Sequence, residues 1–333
     1  MEVWILFNED VNGSSAEAHE IRRFLEEGKE MGIDVKVYHP NRFDLLVTAK
    51  DRHAVLIDGQ LVPLPDFVLP RTYVIDTGYF ALAVVRQLER LGVRVFNKSN
   101  SIEIVADKLH THQVLLESSL PTPTTMLAKH PINIDLIEQA IGFPIVVKTL
   151  LGVNGDGVFL LENRKAFEDF IQMVSQFNDN AQMIFQEFIK VSKGRDLRLF
   201  VVDGEVIASM ERRAPEGGFK ANFSQGASVS SYTPNQETKD LAIRTAKLLN
   251  LEVAGIDLLY TEDGYTICEA NSFPGFKGLE TCCDVNVPRA IFEAMQRKYD
   301  KAKGEPGEVL DQPVVDETDL QDAFISAEAS NYY

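Results

Sequence analysis

Residues 255–271 read GIDLLYTEDGYTICEAN, and this stretch sets Asp257, Glu269 and the carboxamide of Asn271 into apolar runs on either side of the polar tip Thr261 to Gly264. Two strands meeting near Asp263-Gly264 make a hairpin of it. Side chains alternate along a strand, so Glu269 and Asn271 share one face while Cys268 and Ala270 point to the other. Asp257 joins the Glu269 face only if the loop is odd. A two-residue Asp263-Gly264 turn would place Asp257 beside Ala270, whereas a three-residue Glu262-Asp263-Gly264 loop places it opposite Glu269, with Gly264 left-handed. The odd loop is the expectation, because Asp257, Glu269 and Asn271 then form one set of oxygen donors. Hard cations such as Mg²⁺ are held by one or two carboxylates together with the phosphates of a substrate. A surface hairpin with scattered acids is the plainer reading.

The 333 residues exceed one ordinary core, so two or three subdomains are expected. The apolar and charged fractions are those of a soluble globular chain. No apolar run reaches the roughly 20 residues of a membrane span, and MEVWILFNED reads as a first strand. Cys268, Cys282 and Cys283 are odd in number and lack zinc-like spacing, which fits a reducing cytoplasm. A net charge of -17 argues against a nucleic-acid partner, because phosphate backbones are held by Lys and Arg.

Upstream, the first hundred residues alternate strand and helix. Val3 to Phe7 is apolar, Ser14 to Glu17 is a capping box, and a helix then runs to Gly32 before a strand from Ile33 to Tyr38. Phe67 to Leu69, a helix from Gly78 to Leu91 capped by Gly92, and Val93 to Phe96 repeat the scheme. This is a small open α/β sheet, and such sheets bind ligands at the carboxyl ends of their strands. Arg71, just past a strand, is therefore a candidate anion contact, with a solvated arginine as the plainer alternative.

From Ser101 one helix is expected to carry Lys108, and the strand Phe143 to Lys148 leads into the loop LLGVNGDGVFL. Gly152, Gly155 and Gly157 let that backbone approach a phosphate. Neither a Walker loop nor a dinucleotide fingerprint is present. Lys148 and Lys108 supply two ammonium groups. The apolar segment Ile184 to Lys190 has the character of a hinge strand whose backbone could read a base edge, with Glu187 as acceptor. Asp196 and Arg198 alternate on one strand face, and Arg212 and Arg213 follow a strand ending at Glu211. Guanidinium forks suit a carboxylate or charge developing on a phosphoryl group. Lys220 and Asn222, in GGFKANFSQGA, sit in a glycine-flanked segment able to fold over a ligand. The histidines are scattered and suggest no metal site. Beyond Lys303 the chain has no Lys or Arg and reads as an acidic disordered tail.

Lys108, Lys148, the glycine loop, QEFI at Gln186 to Ile189, DLR at Asp196 to Arg198, ERRA at Glu211 to Ala214, KANFSQGASV, AGIDLL and CEANSFPGF together resemble the ATP-grasp ligases of the RimK type, over about residues 1 to 298. The resemblance implies an α/β and α+β chain. A small N-terminal open α/β sheet (1–98) precedes two α+β lobes (99–185 and 186–300) that clamp ATP, and an acidic tail follows (301–333). It implies that Lys108 and Lys148 hold ATP phosphates, that Gln186, Glu187, Phe188 and Ile189 take adenine and ribose, and that Asp196 belongs to the nucleotide pocket. Lys220 and Asn222 would contact phosphate, Asp257, Glu269 and Asn271 would bind two Mg²⁺ or Mn²⁺, and Arg212 would stabilise an acyl phosphate and a tetrahedral intermediate. Arg71, Arg198, Arg213 and Phe273 are candidates for the substrate side.

The activity implied is amide formation between a carboxylate (a protein C-terminus, a peptide or a small molecule) and an amino acid, L-glutamate above all. Peptide crosslinking, glutamate addition to a small coenzyme or amino-group carrier, and a non-catalytic ATP-binding scaffold are the competing readings. A homo-oligomer is compatible with all of them, and a membrane partner with none. Two departures stand at the substrate end. Lys220 replaces the arginine usual in ribosomal-protein modifiers and loses the bidentate fork, and Phe273 replaces a small polar residue.

Overall fold

Parallel strands β1 (Glu2–Leu6), β2 (Asp34–Tyr38), β6 (Phe67–Pro70) and β7 (Arg94–Val95) build the first sheet in the order β2-β1-β6-β7, with α1 (Ala16–Glu30) and α2 (Val74–Arg90) as crossovers. The computed structural model describes residues 1–47, 55–72, 74–150, 157–177, 181–223 and 226–304. Gly152, Gly155 and the acidic segment from 305 lie outside the described residues. Trp4, Leu6, Val68, Val84, Leu88 and Val95 are buried together, each worth ~1.5–3 kcal/mol of transfer free energy. The helix cap is shifted by one residue: Ala18 N donates to Ser15 Oγ at 3.0 Å, so Ser15, not Ser14, caps α1. A three-stranded sheet of β3 (Phe43–Asp44), β4 (Val55–Ile57) and β5 (Gln60–Val62), which the reading of the sequence did not contain, sits beside this core.

The expected single helix carrying Lys108 is two. α3 (Ser99–Ala106) ends at Asp107, whose Oδ1 accepts from Leu109 N and His110 N and starts α4 (Lys108–Glu117). Aspartate competes with helical backbone and prefers the cap. The central lobe is the antiparallel sheet β10-β9-β11-β8, from β8 (Thr125–Leu127), β9 (Ile145–Thr149), β10 (Val158–Leu161) and β11 (Met183–Glu187), backed by α5 (Ile134–Ala140) and α6 (Arg164–Phe177). Ile145, Val147, Phe167 and Phe185 are fully buried between sheet and helices. Period two then sends Val146 and Lys148 to the opposite face of β9.

The C-terminal lobe is the sheet β14-β13-β12-β15-β16, formed by β12 (Arg195–Val202), β13 (Glu205–Arg213), β14 (Ser228–Ser231), β15 (Val253–Tyr260) and β16 (Tyr265–Asn271). Strands β12 and β13 meet at Asp203-Gly204, both at positive φ (51° and 80°), as a primed two-residue turn demands. Leu197, Leu199, Val201, Ile256 and Leu258 bury one face with α7 (Gln236–Leu248). Helix α8 (Lys277–Cys282) and α9 (Val287–Gly304) complete the described chain, in which no helix is long and apolar enough to cross a membrane.

The opening hairpin reaches its parity by another route. At its tip Tyr260 pairs with Tyr265 and Leu258 with Ile267, and Thr261 N donates to Gly264 O, so Glu262-Asp263 is an even turn. Deeper in, Asp257 pairs with Glu269 and Gly255 with Asn271. The missing residue is a β-bulge at Cys268, which puts two residues of β16 against one of β15. Gly264 has φ +151°, positive but far from the left-handed helical well expected of it.

Candidate active site

Between the free faces of the two lobes lies an open cleft with a cavity volume of about 130 Å³. Val146, Lys148, Gln186 and Glu187 form its central-lobe wall; Asp196, Arg212, Asp257, Leu259 and Glu269 form the other. Lys108, the hinge residues Phe188 and Ile189, and the segment from Phe219 to Asn222, carrying Lys220, close the ends. Most residues singled out in the sequence thus converge on one space.

The wall of the C-terminal lobe is an alternating row of charge set by register. Arg212 faces Asp196 across β13 and β12, Arg198 faces Asp257 across β12 and β15, and Asp257 faces Glu269. Arg212 Nε and Nη2 donate to the two Asp196 oxygens at 2.7 Å each, and Nη2 also reaches Asp257 Oδ2 at 2.8 Å. Arg198 Nε and Nη2 grip both Asp257 oxygens at 2.7 Å. Burial pushes the Asp196 carboxyl up. Burial acts the same way on Asp257, but Arg198 and Arg212 together hold it below the usual carboxylate range. Two carboxylates and two guanidiniums cancel, which leaves Glu269 as the carboxylate of this row without an ion pair among the described residues. Asn271 lies next to it, its Nδ2 3.5 Å from Asp257 Oδ2.

Opposite this row stand cations. Lys108 opens α4, where the helix dipole disfavours a cation. Burial lowers its pKa, opposed by Glu269 and assisted by Lys148. Lys148 is buried, with Nζ 3.8 Å from Cys268 Sγ. The bulge turns Cys268 toward the cleft, contrary to simple alternation, and burial pushes its thiol up to about 11. At pH 8 only about one such thiol in a thousand is ionised. Iodoacetamide at that pH should therefore spare Cys268 in the folded protein and label it in urea, as read by peptide mass spectrometry. Labelling at the unfolded rate would contradict the raised pKa of this half-buried thiol.

Gly157, at φ +68°, packs so closely on Thr149 that a Cβ would lie 2.4 Å from its hydroxyl. The Gln186 carboxamide is bound within the lobe, to Thr125 Oγ1 at 2.8 Å and to His112 Nε2 at 3.0 Å. His112 is a component that sequence reasoning passed over. Burial and the Lys148 charge drive its pKa down to about 4, so it stays neutral. Its partner lies 74 residues away, and no local pattern announces it.

Four substrate candidates stand differently. Arg198 is committed to Asp257. Arg71 is buried, not solvated: Nη2 pairs with Glu20 at 2.5 Å and Nη1 donates to Pro274 O at 3.1 Å. Phe273 packs on the N-terminal core rather than lining the cleft, because period two aims it away from Ser272 and Pro274 pins the segment. Arg213 projects to the exposed side of β13 and pairs with Glu211.

A hard cation suits the donor types present, since Asp257, Glu269 and Asn271 are all oxygen donors on one wall. Among the described residues no cluster of three or more His, Cys, Asp or Glu side chains could hold a metal by itself. Any such ion would need phosphate or water to complete its shell.

The RimK-like ATP-grasp domain matches residues 105–295, and the RimK PreATP-grasp domain matches residues 1–102. The probable alpha-L-glutamate ligase of Shewanella pealeana is 34% identical over 286 residues, which is 86% of this chain and 62% of that protein. The chain thus spans under two thirds of that relative. The probable alpha-L-glutamate ligase 1 of Shewanella amazonensis is 34% identical over 292 residues, 87% of this chain and 96% of the relative. Among solved structures, the ATP-grasp ligase PsnB complexed with minimal precursor superposes with a TM-score of 0.69 at 22% identity, covering 89% of this chain and 98% of that one. D-alanine–D-alanine ligase from Bacillus anthracis gives 0.64 at 15%, covering 91% and 99%. At those identities the structures speak for the fold alone. With both RimK domains matched along nearly its whole described length, the chain belongs to the RimK-like ATP-grasp family.

Proposed function

We propose that the protein is an ATP-dependent carboxylate–amine ligase that adds L-glutamate to a protein, peptide or small-molecule carboxylate through an acyl phosphate. One observation carries the reaction class: Lys108, Lys148 and Lys220 border the same cleft as a charge-balanced wall whose one uncommitted carboxylate is Glu269. The relatives' description as alpha-L-glutamate ligases supports the choice of amine.

On this reading the lysines bind the phosphates, the hinge from Glu187 to Ile189 takes adenine, and Asp196 borders the ribose. Two Mg²⁺ or Mn²⁺, held by Asp257, Glu269 and Asn271, would supply neutralisation of phosphate oxygens. The acceptor carboxylate attacks the γ-phosphorus, ADP leaves, and the amine then displaces phosphate from the acyl carbon. Arg212 is clamped through Nε and Nη2 by two carboxylates, which leaves its Nη1 donors to meet the oxyanion. Closing the cleft keeps water from the acyl phosphate.

The test supplies ATP, Mg²⁺, single L-amino acids and a host peptide extract, and reads ADP together with product masses. Amine-dependent ADP release with a glutamyl mass increment is the expected result. ADP release that needs a peptide but no added amino acid would replace glutamylation by crosslinking, and no ADP release would leave an ATP-binding scaffold.

A further inference from the structure

We propose that a small cavity beside Lys108 and Lys148 holds one water molecule, and that His112 is the positioning residue that fixes it there, an inference that rests on the ligase reading above. Lys108, Thr111 and His112 stand three and four residues apart on α4, so they share one helix face. With Lys148 of β9 and Cys268, Glu269 and Ala270 of β16, that face borders a second cavity of about 10 Å³. This is room for a single water.

His112 is buried, and its two ring nitrogens fare differently. The Gln186 amide nitrogen can only donate, and it reaches His112 Nε2 at 3.0 Å and Thr125 Oγ1 at 2.8 Å. A ring nitrogen that accepts carries no proton, so the one proton of the imidazole is on Nδ1. Yet Nδ1 has no hydrogen-bond partner among the described residues. Buried polar groups are nearly always paired, by internal water where the protein offers nothing. The lining supplies what such a water needs: Nδ1–H and a Lys108 or Lys148 ammonium donate to it, and the Glu269 carboxylate accepts from it. Those are the three bonds typical of a buried water. Thr111 does not compete, because its hydroxyl turns back to Ile104 O and Asp107 O. His112 itself touches no phosphate. Through the water it holds the metal-wall carboxylate and the lysines in one arrangement before the nucleotide arrives, which removes an ordering cost from binding.

Two carboxamide variants separate the ring nitrogens. His112→Gln keeps a polar atom near the Nε2 position and loses the one at Nδ1, whereas His112→Asn does the reverse. Calorimetric titration of ADP into the full chain at saturating Mg²⁺, beside a thermal melt, reads both. His112→Gln should melt like wild type, because Gln186 keeps its partner, and should bind ADP roughly tenfold more weakly, the scale of one hydrogen bond to a charged group. His112→Asn should melt lower and bind ADP as wild type does. A crystal structure of the wild type should show a water within hydrogen-bond distance of Nδ1. Wild-type ADP affinity in His112→Gln overturns the proposal, as does an empty cavity in that crystal structure. If wild type binds no ADP with Mg²⁺, the nucleotide reading itself fails and the role of His112 falls with it.

Discussion

Glu269→Ala should abolish ADP release while the protein folds normally. The expected loss is several kcal/mol of transition-state stabilisation, roughly a thousandfold or more in rate, the scale on which ligands of a catalytic metal act. Folding should survive because Glu269 is half-buried and makes no hydrogen bond or ion pair to the described residues, so its removal strands no partner. Asp257 lacks that separation, since its oxygens also anchor Arg198 and Arg212. Glu269→Gln keeps the shape and halves the ligating power, and it should fall between the two. A coupled ADP assay beside a thermal melt decides the matter: near-normal turnover of the alanine variant would remove Glu269 from the metal wall.

The site was legible in the sequence where chemistry follows from periods and turn residues. Lys148 on the free face of β9 follows from alternation along IVVKT, and Asp196 with Arg198 from alternation along RDLR. The hairpin partners Asp257 and Glu269 were reached by parity. The device was hidden, however, because a bulge at Cys268 and an odd loop leave the same residue count. The Asp107 cap was readable in principle: an aspartate before Lys-Leu-His is a helix start, and the two short helices blurred into one pattern. Partnership over long separations was not readable. Arg71 looked like a solvated or anion-binding group because Glu20 lies 51 residues away, and Arg198 looked free because Asp257 lies 59 away. A single sequence shows which side chains carry charge, but only the tertiary register shows which charges are already spent on one another.

Arg212→Met should cost both activity and stability, and the pH dependence should separate the two. In the folded protein the guanidinium is buried and holds Asp196 and Asp257 at once. Removing one partner of a buried ion pair leaves an uncompensated charge and costs ~3–5 kcal/mol, whereas apolar replacement of a whole pair is often neutral. Asp257 keeps Arg198, so the stranded group is Asp196. Burial already raises its carboxyl in the wild type and Arg212 opposes that rise, so the variant's Asp196 titrates higher still. A carboxyl whose folded pKa lies above its unfolded value favours the folded state at acid pH and loses that advantage as pH rises through the folded pKa. The melting deficit of Arg212→Met should therefore be largest at neutral and alkaline pH and shrink toward pH 5. Pairing it with Asp196→Leu should recover most of the stability at neutral pH and none of the ADP release, since the donors for the oxyanion are still gone. Arg212→Lys keeps the charge without the fork and should lose activity almost as fully. Equal deficits at pH 5 and pH 8 would show that Asp196 finds another partner, and recovered turnover in the double variant would show that Arg212 acts only as a structural clamp.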